Sequence, residues 1–345
     1  MSTTFLKHFE SITDPRINRC KKNNLLDMLL LAVSAVLSGA QGWEAFGRLK
    51  ADKIEHAFQS WIYSLVKVTG CDVIDGKKAR RSFTTKDRKN ALHTVSAWSF
   101  QHQLVLGQTT VNEKSNEITA IPELLSMLDI ENSIITLDAM GCQKAIAEKI
   151  IKQKADYVLA LKGNHSGMQA ELEAWWHKSQ REGLSESSYD KHTDINAGHG
   201  RIETRTCHQL LVDKSWLDKG YRWAGFKSII KIKAQVHDKS TGKDTEETRW
   251  FISSLDLNAE QALNAVRSHW QVESMHWVLD MTFREDESRI RKKQGPLVFN
   301  VMRKIAMALF KQDETKSASM ARKKKMAGLD DEYRSTLLES GIKMR

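Results

Sequence analysis

An α/β fold is what this sequence predicts, and three observations predict it. Between residues 71 and 179, short apolar runs ending in an acidic residue or a glycine turn alternate with stretches of helical periodicity. The block before them is helical, and the block from about 189 to 255 is strand-rich. Strands alternating with helices argue for a sheet with crossover connections.

The elements follow in order. Leu25–Leu37 is apolar nearly all round, and Ile54, Phe58, Trp61, Ile62 and Leu65 recur at helical spacing, so residues 24–67 are read as helices. Cys71-Asp72-Val73-Ile74-Asp75 is a buried strand ending at the turn residue Gly76. Leu92–Phe100 and Leu104–Val111 are strands joined by the polar Gln101-His102-Gln103. A helix over Ile118–Leu128 carries Pro122 near its start. The strand Ser133–Asp138, the amphipathic helix Gln143–Lys154, the strand Tyr157–Leu161 and the helix Gly167–Ser179 complete the alternation. Arg201–Leu211, Phe226–His237 and Glu246–Ser254 then form a β insertion. A long helix, Ala259–Met281, starts from Asn258 as N-cap, with Gln261 three residues later. The tail, Gln312–Arg345, is charged and helical in pieces, and its Arg322-Lys323-Lys324-Lys325 run is expected to be solvated.

Composition narrows the function classes. With 345 residues, a prior of roughly 100–200 per domain gives two or three folding units. Hydrophobic residues at 41% and charged residues at 28% suffice for a core and exclude general disorder. Lys+Arg 53 against Asp+Glu 43 leaves +10, which points to a polyanionic partner, most often nucleic acid. The cysteines Cys20, Cys71, Cys142 and Cys207 form no CxxC pair, so reduced thiols are expected rather than a zinc ribbon or a disulfide framework. The polar N-terminal residues read as no secretory signal, and Leu25–Ala40 falls short of a span of ~20 residues. The expectation is a soluble cytoplasmic protein with no membrane partner. Only Pro15, Pro122 and Pro296 occur, so no Pro-rich linker separates domains.

Three acidic residues stand out by position. Asp75 and Asp138 each end a buried strand, where an α/β sheet opens its ligand crevice. Glu273 lies within the long helix, apolar enough to cover the sheet. Singly, an aspartate at a strand end is more often a turn cap. Together they make an all-oxygen pocket, which suits hard ions such as Mg²⁺ or Mn²⁺. Two such ions ~4 Å apart can activate the attacking oxygen and stabilise the leaving oxygen of a phosphodiester. Glu273-x-x-His276 has no second ExxH copy, so a di-iron site is not expected. Trp175-Trp176 and Trp270/Trp277 are read as core at helical spacing.

The segments Ile74-Asp75-Gly76-Lys77, Glu113 through Ile118, Thr136 through Gln143, Leu161-Lys162-Gly163-Asn164, His199 through Arg205, and His269-Trp270 through Arg289-Ile290-Arg291 together resemble one family. It is the DDE transposases of bacterial insertion sequences, in the H-repeat-associated subgroup linked to Rhs elements. The resemblance runs from about Phe5 to the C-terminus. It implies a ribonuclease-H-like mixed sheet with flanking helices and a β insertion before the last acidic residue. It implies the metal-binding catalytic triad Asp75, Asp138 and Glu273, two Mg²⁺ or Mn²⁺ ions, and cleavage and strand transfer of DNA. The implied division is a helical region 1–69 for DNA ends, a catalytic domain 70–311 with its insertion at about 189–255, and a charged tail 312–345.

The sequence departs from the family in two places. Leu49-Lys50-Ala51 joins the Gly42-Trp43-Glu44 region to the helix of Trp61 abruptly, as if a piece were lost. The stretch from Glu273 to His276-Trp277 is one residue short. Removing one residue rotates the rest of a helix by ~100°, so a bulged turn between Glu273 and Trp277 is expected. Lys77, Arg80 and Arg81 follow the first aspartate and, with Lys86, Arg88 and Lys89, are candidates for phosphate neutralisation. Lys162 and Asn164, Arg201 and Arg205, His269, and Arg289 and Arg291 are the further DNA-contact candidates. Duplex DNA, as element ends and target, is the expected partner. Whether two copies pair the ends as a homodimer stays open. The alternatives are a catalytically impaired, DNA-binding remnant and a metal-dependent nuclease without strand transfer.

Overall fold

The computed structural model describes residues 4–16, 23–40, 49–66, 70–79, 82, 91–111, 116–198, 200–213 and 221–340. They fall into two compact units that cut across chain order. One comprises Met1–Val68, Gly76–Ala120 and Val272–Arg345, and the other Thr69–Asp75 and Ile121–Gln271.

In the first unit, α1 (Thr4–Phe9), α2 (Leu25–Leu37) and α3 (Ala51–Leu65) bury an aromatic cluster. Phe5 meets the Trp61 ring edge-on at 5.0 Å and lies 4.7 Å from Phe9. Strand β1 (Gly70–Lys78) ends in this unit. Strands β2 (His93–Ser99) and β3 (Leu104–Thr110) form an antiparallel hairpin, with Thr94 opposite Thr110. Helix α4 (Glu117–Met127) starts here, with Pro122 inside it.

In the second unit, β1 begins beside β4 (Ser133–Leu137), and β4 beside β5 (Asp156–Leu161), both pairs parallel. The crossover between β4 and β5 is α5 (Lys144–Lys152), which buries Ile146, Ala147 and Ile150. Helix α6 (Ser166–Glu182) follows β5 and buries Met168, Leu172 and Trp176. Strands β6 (Tyr189–Gly198), β7 (Arg201–Leu211), β8 (Ser228–Asp238) and β9 (Asp244–Ser253) are a continuous antiparallel meander. The β insertion is not a separate module, because the end of β9 pairs antiparallel with β5, Trp250 opposite Leu161 and Ser253 opposite Val158. The strand order in this unit is β1-β4-β5-β9-β8-β7-β6. This mixed sheet with flanking helices is the ribonuclease-H-like arrangement the resemblance implies.

Helix α7 (Ala259–Met281) begins in the second unit and ends in the first. The Asn258 carboxamide oxygen accepts the Gln261 N–H at 2.9 Å, the expected N-cap. Ala259, Ala262, Leu263 and Val266 close the core over Val158, Cys207, Ile230 and Phe251.

The first unit is completed by α8 (Gly295–Gln312), buried along nearly its whole length, with α9 (Met320–Leu329) and α10 (Asp331–Ser340) packed on it. The basic run is only half solvated: Arg322 and Lys325 are exposed, but Lys323 and Lys324 are not. Lys323 is buried and donates to the carbonyls of Phe310 and Asp313 at 3.1 and 2.6 Å, where the C-terminal end of α8 is electronegative. Lys324 lays its chain over Phe283 and donates to the Thr282 carbonyl at 2.5 Å.

Candidate active site

The first two candidate carboxylates come from β1 and the end of β4. Val73 of β1 stands opposite Thr136 of β4. The parallel pairing runs only that far: Asp138 lies just past the end of β4, and Asp75 lies two residues further along β1, which continues through Gly76 to Lys78 instead of ending at Asp75 as the sequence suggests. Both residues are half-buried. Asp138 closes a turn: its Oδ1 accepts the N–H of Met140 at 3.0 Å and of Gly141 at 3.1 Å. Gly141 suits that turn because a Cβ there would come within 3.0 Å of the Leu137 side chain.

Around Asp138 the second unit gathers polar and cationic groups. His269 of α7 lies 3.3 Å from the Thr136 hydroxyl through Nδ1. Burial holds its imidazole below the ordinary value; Asp138 opposes that shift, while Lys162 and Arg249 reinforce it. A neutral His269 would meet a phosphate by hydrogen bonding rather than by charge. Lys162 is exposed just beyond β5, one strand over from Asp138. Trp270, read as core, is half-buried with guanidinium groups near its ring: Arg205 of β7 at 5.2 Å and Arg249 of β9 at 5.0 Å. Arg205 also pairs with Glu203, and Arg249 with Glu247 at 2.7 Å. Sequence reasoning missed Arg249 because it sits in a strand with no motif around it; its alternation with Glu247 on an exposed stretch was the available signal.

Glu273 belongs to the other unit, where it is exposed on α7. The expected bulge after it does not form, and α7 is helical without interruption to Met281. The helix keeps its hydrogen-bond ladder by leaving Trp277 outside, 60% exposed, rather than packing it as core. Asp280 finds a cation instead of a strained turn. Lys77 Nζ lies 2.6 Å from Asp280 Oδ1, 3.7 Å from Asp286 and 3.9 Å from Glu285, with its side chain only 10% exposed. Lys77 is thus turned inward among carboxylates rather than outward toward a phosphate. His276 is kept neutral, its imidazole pushed down to about 3 by burial, with Lys77 and Lys304 adding to the shift.

The remaining candidates divide. Arg289 is exposed and Arg291 half-buried beyond α7. Arg201 is largely exposed at the start of β7, 3.4 Å from Asp238. Asn164 lies in a 3₁₀ turn, Gly163–His165, with its side chain outside the described residues. Arg80, Arg81, Lys86, Arg88 and Lys89 lie outside them too, as do Cys20 and the Gly42-Trp43-Glu44 region.

Among the described residues, no three His, Cys, Asp or Glu side chains gather to hold one ion. The second unit does hold the half-buried carboxylates of Asp75 and Asp138, oxygen donors of the kind that would suit Mg²⁺ or Mn²⁺. No described helix is long and apolar enough to cross a membrane.

Known proteins match nearly the whole length. The family description "Transposase DDE domain" covers residues 53–309, and a "DDE_Tnp_1-associated" region covers residues 6–65. The chain is 36% identical to a protein of Escherichia coli strain K12 named "H repeat-associated putative transposase YhhI", over 96% of this chain and 97% of that one. It is 35% identical to YbfL of the same strain, over 96% and 97%, and 34% identical to YncI of E. coli O157:H7, over 98% and 95%. The YhhI alignment runs over 371 positions, and 96% of 345 residues is about 331, so about 40 positions of the relative face no residue here.

Proposed function

The chain belongs to the DDE transposases, in their H-repeat-associated branch, and from that premise we propose that it cuts DNA at insertion-sequence ends and joins the freed 3′ ends to a target. What supports this reading is that Asp75 and Asp138 lie in one unit, on β1 and just past the end of β4, two strands that pair in parallel. Glu273 is the third member of the proposed triad. The two aspartates and Glu273 would be the residues that hold the divalent ions.

When bound, two such ions would activate the attacking oxygen and stabilise the leaving one. This chain's own residues do the rest. The Met140 and Gly141 amides fix Asp138 through Oδ1, so its other oxygen is presented in one direction. Lys162, Arg205 and Arg249 neutralise the backbone of the bound strand, and neutral His269 donates or accepts a hydrogen bond beside it. Arg201, Arg289 and Arg291 extend the backbone contact along the duplex. Water is the first nucleophile and the 3′-hydroxyl the second, so no covalent enzyme intermediate forms.

A second reading, a DNA-binding remnant with impaired chemistry, draws on the roughly 40 positions of YhhI that have no counterpart here. A nicking-and-joining assay on an end-containing duplex with Mg²⁺ separates the readings. The proposed activity gives both nicked and joined products, each lost in Asp138→Asn. Binding without either product establishes the remnant, and nicking without joining establishes a nuclease.

A further inference from the structure

We propose that Trp270 is a positioning residue for DNA: it gathers the guanidinium groups of Arg205 and Arg249 over one indole, where together they clamp a single phosphodiester of the bound strand. The inference rests on the reading of the chain as a transposase that binds duplex DNA. All of its parts belong to the second unit.

Sheet register brings the two arginines to one place. On β7, Arg205 shares a face with Cys207, two residues on, and Cys207 lies in the core that α7 closes. Arg205 stands opposite Ala234 of β8, and Arg249 of β9 stands opposite Ile232, which is itself opposite Cys207. Both arginines therefore rise on the α7 side of the sheet, from strands separated by β8 alone. To that face β8 contributes the short Ala234 and the buried Ile232, which leaves room above it for a ring. Trp270 packs against this core, with Arg205 at 5.2 Å and Arg249 at 5.0 Å over its ring. An aromatic face attracts a guanidinium, and one ring shared by two holds them together against their own repulsion.

Ion pairing alone does not account for this convergence. Each arginine has a carboxylate of its own, two residues back on its own strand: Glu203 for Arg205 and Glu247 for Arg249. Glu247 takes Nε and Nη2 of Arg249 at 2.7 and 2.9 Å and does not engage Nη1. Glu203 takes Nη2 of Arg205, whose Nε–H is buried and meets no acceptor among the described residues, in a side chain 15% exposed. A buried donor on a cation is costly to leave unmatched, so the geometry keeps a place for an anionic oxygen. A phosphodiester suits it, because planar guanidiniums can present N–H groups to its two non-bridging oxygens. The place adjoins the pocket of Asp138: the charges of Asp138, Lys162 and Arg249 all act on the imidazole of His269, the residue before Trp270.

The test is binding of the full chain to an end-containing duplex in which uncharged methylphosphonate replaces one phosphodiester at a time. Arg205→Ala and Arg249→Ala should both become insensitive to one and the same linkage, while keeping the parent's response at the others. Trp270→Leu keeps both charges, yet it should lose the response at that linkage and bind the unmodified duplex ~3–10-fold more weakly. Trp270→Phe keeps an aromatic face and should retain part of both; because phenylalanine holds a cation less well than tryptophan, it carries the comparison where Trp270→Leu fails to fold. Added to the Arg205→Ala, Arg249→Ala double variant, either tryptophan variant should weaken binding no further, because the positioned groups are already gone. The proposal is overturned if the two arginine variants lose their response at different linkages or if the tryptophan variants keep the parent's full response. It is also overturned if their loss of affinity persists undiminished without the arginines, as a purely structural tryptophan would give. Failure of the underlying reading looks different: the parent would then bind no duplex, and the clamp would fall with it.

Discussion

Two clusters of acidic side chains in this protein meet opposite fates. Asp280, Glu285 and Asp286 of the first unit surround Lys77, and Glu285 is further tied to Asn300 and Arg303. Asp138 of the second unit, just past the end of β4, meets backbone N–H groups instead. The difference is what a carboxylate is given to pair with. Where cations from other elements reach it, its charge is used to hold elements together. At Asp138 a turn holds the carboxylate by neutral amides, which suits the ligand role proposed for it. Both clusters lie close to the motifs read from the sequence, so proximity to a motif does not tell them apart; their partners do.

The contrast breaks most sharply at Glu285. Its side chain is 2% exposed and shares Arg303, itself 5% exposed, so Glu285→Ala strands a buried guanidinium and should cost about 3–5 kcal/mol in urea unfolding. Asp138→Asn should cost well under about 1 kcal/mol, because the carboxamide oxygen still caps the turn. Comparable losses at the two positions would erase the distinction between structural and ligand-directed carboxylates.

A second pair of variants sharpens the picture of the cationic wall in the second unit. Arg205→Ala and Arg249→Ala should each weaken duplex DNA binding and reduce the salt slope by about one, with little loss of stability. Lys77→Met, by contrast, should leave that slope unchanged. Titrating binding between low and physiological salt checks both.

A smaller effect is expected at Gly76→Ala. The new methyl displaces the Glu117 carboxylate from its place and strains its bond to His93, which should cost about 1 kcal/mol in the same unfolding experiment.

A pH-dependent effect concerns Lys304, buried against Ser96 at 2.8 Å and Gln108. Burial lowers its ammonium to about 8 from the ordinary 10.5. Unfolding then takes up a proton between those values, so this residue makes stability rise with pH from about 8 to 10.5 and withdraws that contribution as pH falls back to 8. Lys304→Met should remove that slope from a series of melts.

Much of this was legible in the sequence, and the rest was hidden for physical reasons. The strand that stops just before Asp138, the helix from Ala259 to Met281 with its Asn258 cap, and the alternation of β4, α5 and β5 all arise from local periodicity and turn chemistry, which a sequence displays directly; the strand of Asp75 does not stop where Gly76 suggested but runs on to Lys78. Burial of charge does not show there. Lys77 reads like a member of a basic cluster, and Lys323 like part of a solvated run, because a lysine that finds carboxylates or helix-end carbonyls has the same letter as one that finds water. Trp277 misleads in the other direction: helical spacing marks a face, but not whether anything covers it. Exposing Trp277 and pairing Asp280 with Lys77 both depend on what stands opposite each face of the helix.

The central claim is that Asp75 and Asp138 form a divalent-cation site, and direct Mn²⁺ titration of the full chain tests it without any need for turnover. Wild-type protein should bind Mn²⁺ saturably, and Asp75→Asn and Asp138→Asn should each lower that affinity at least about tenfold while melting as the wild type does. Equal Mn²⁺ affinity in the wild type and both variants would contradict the account.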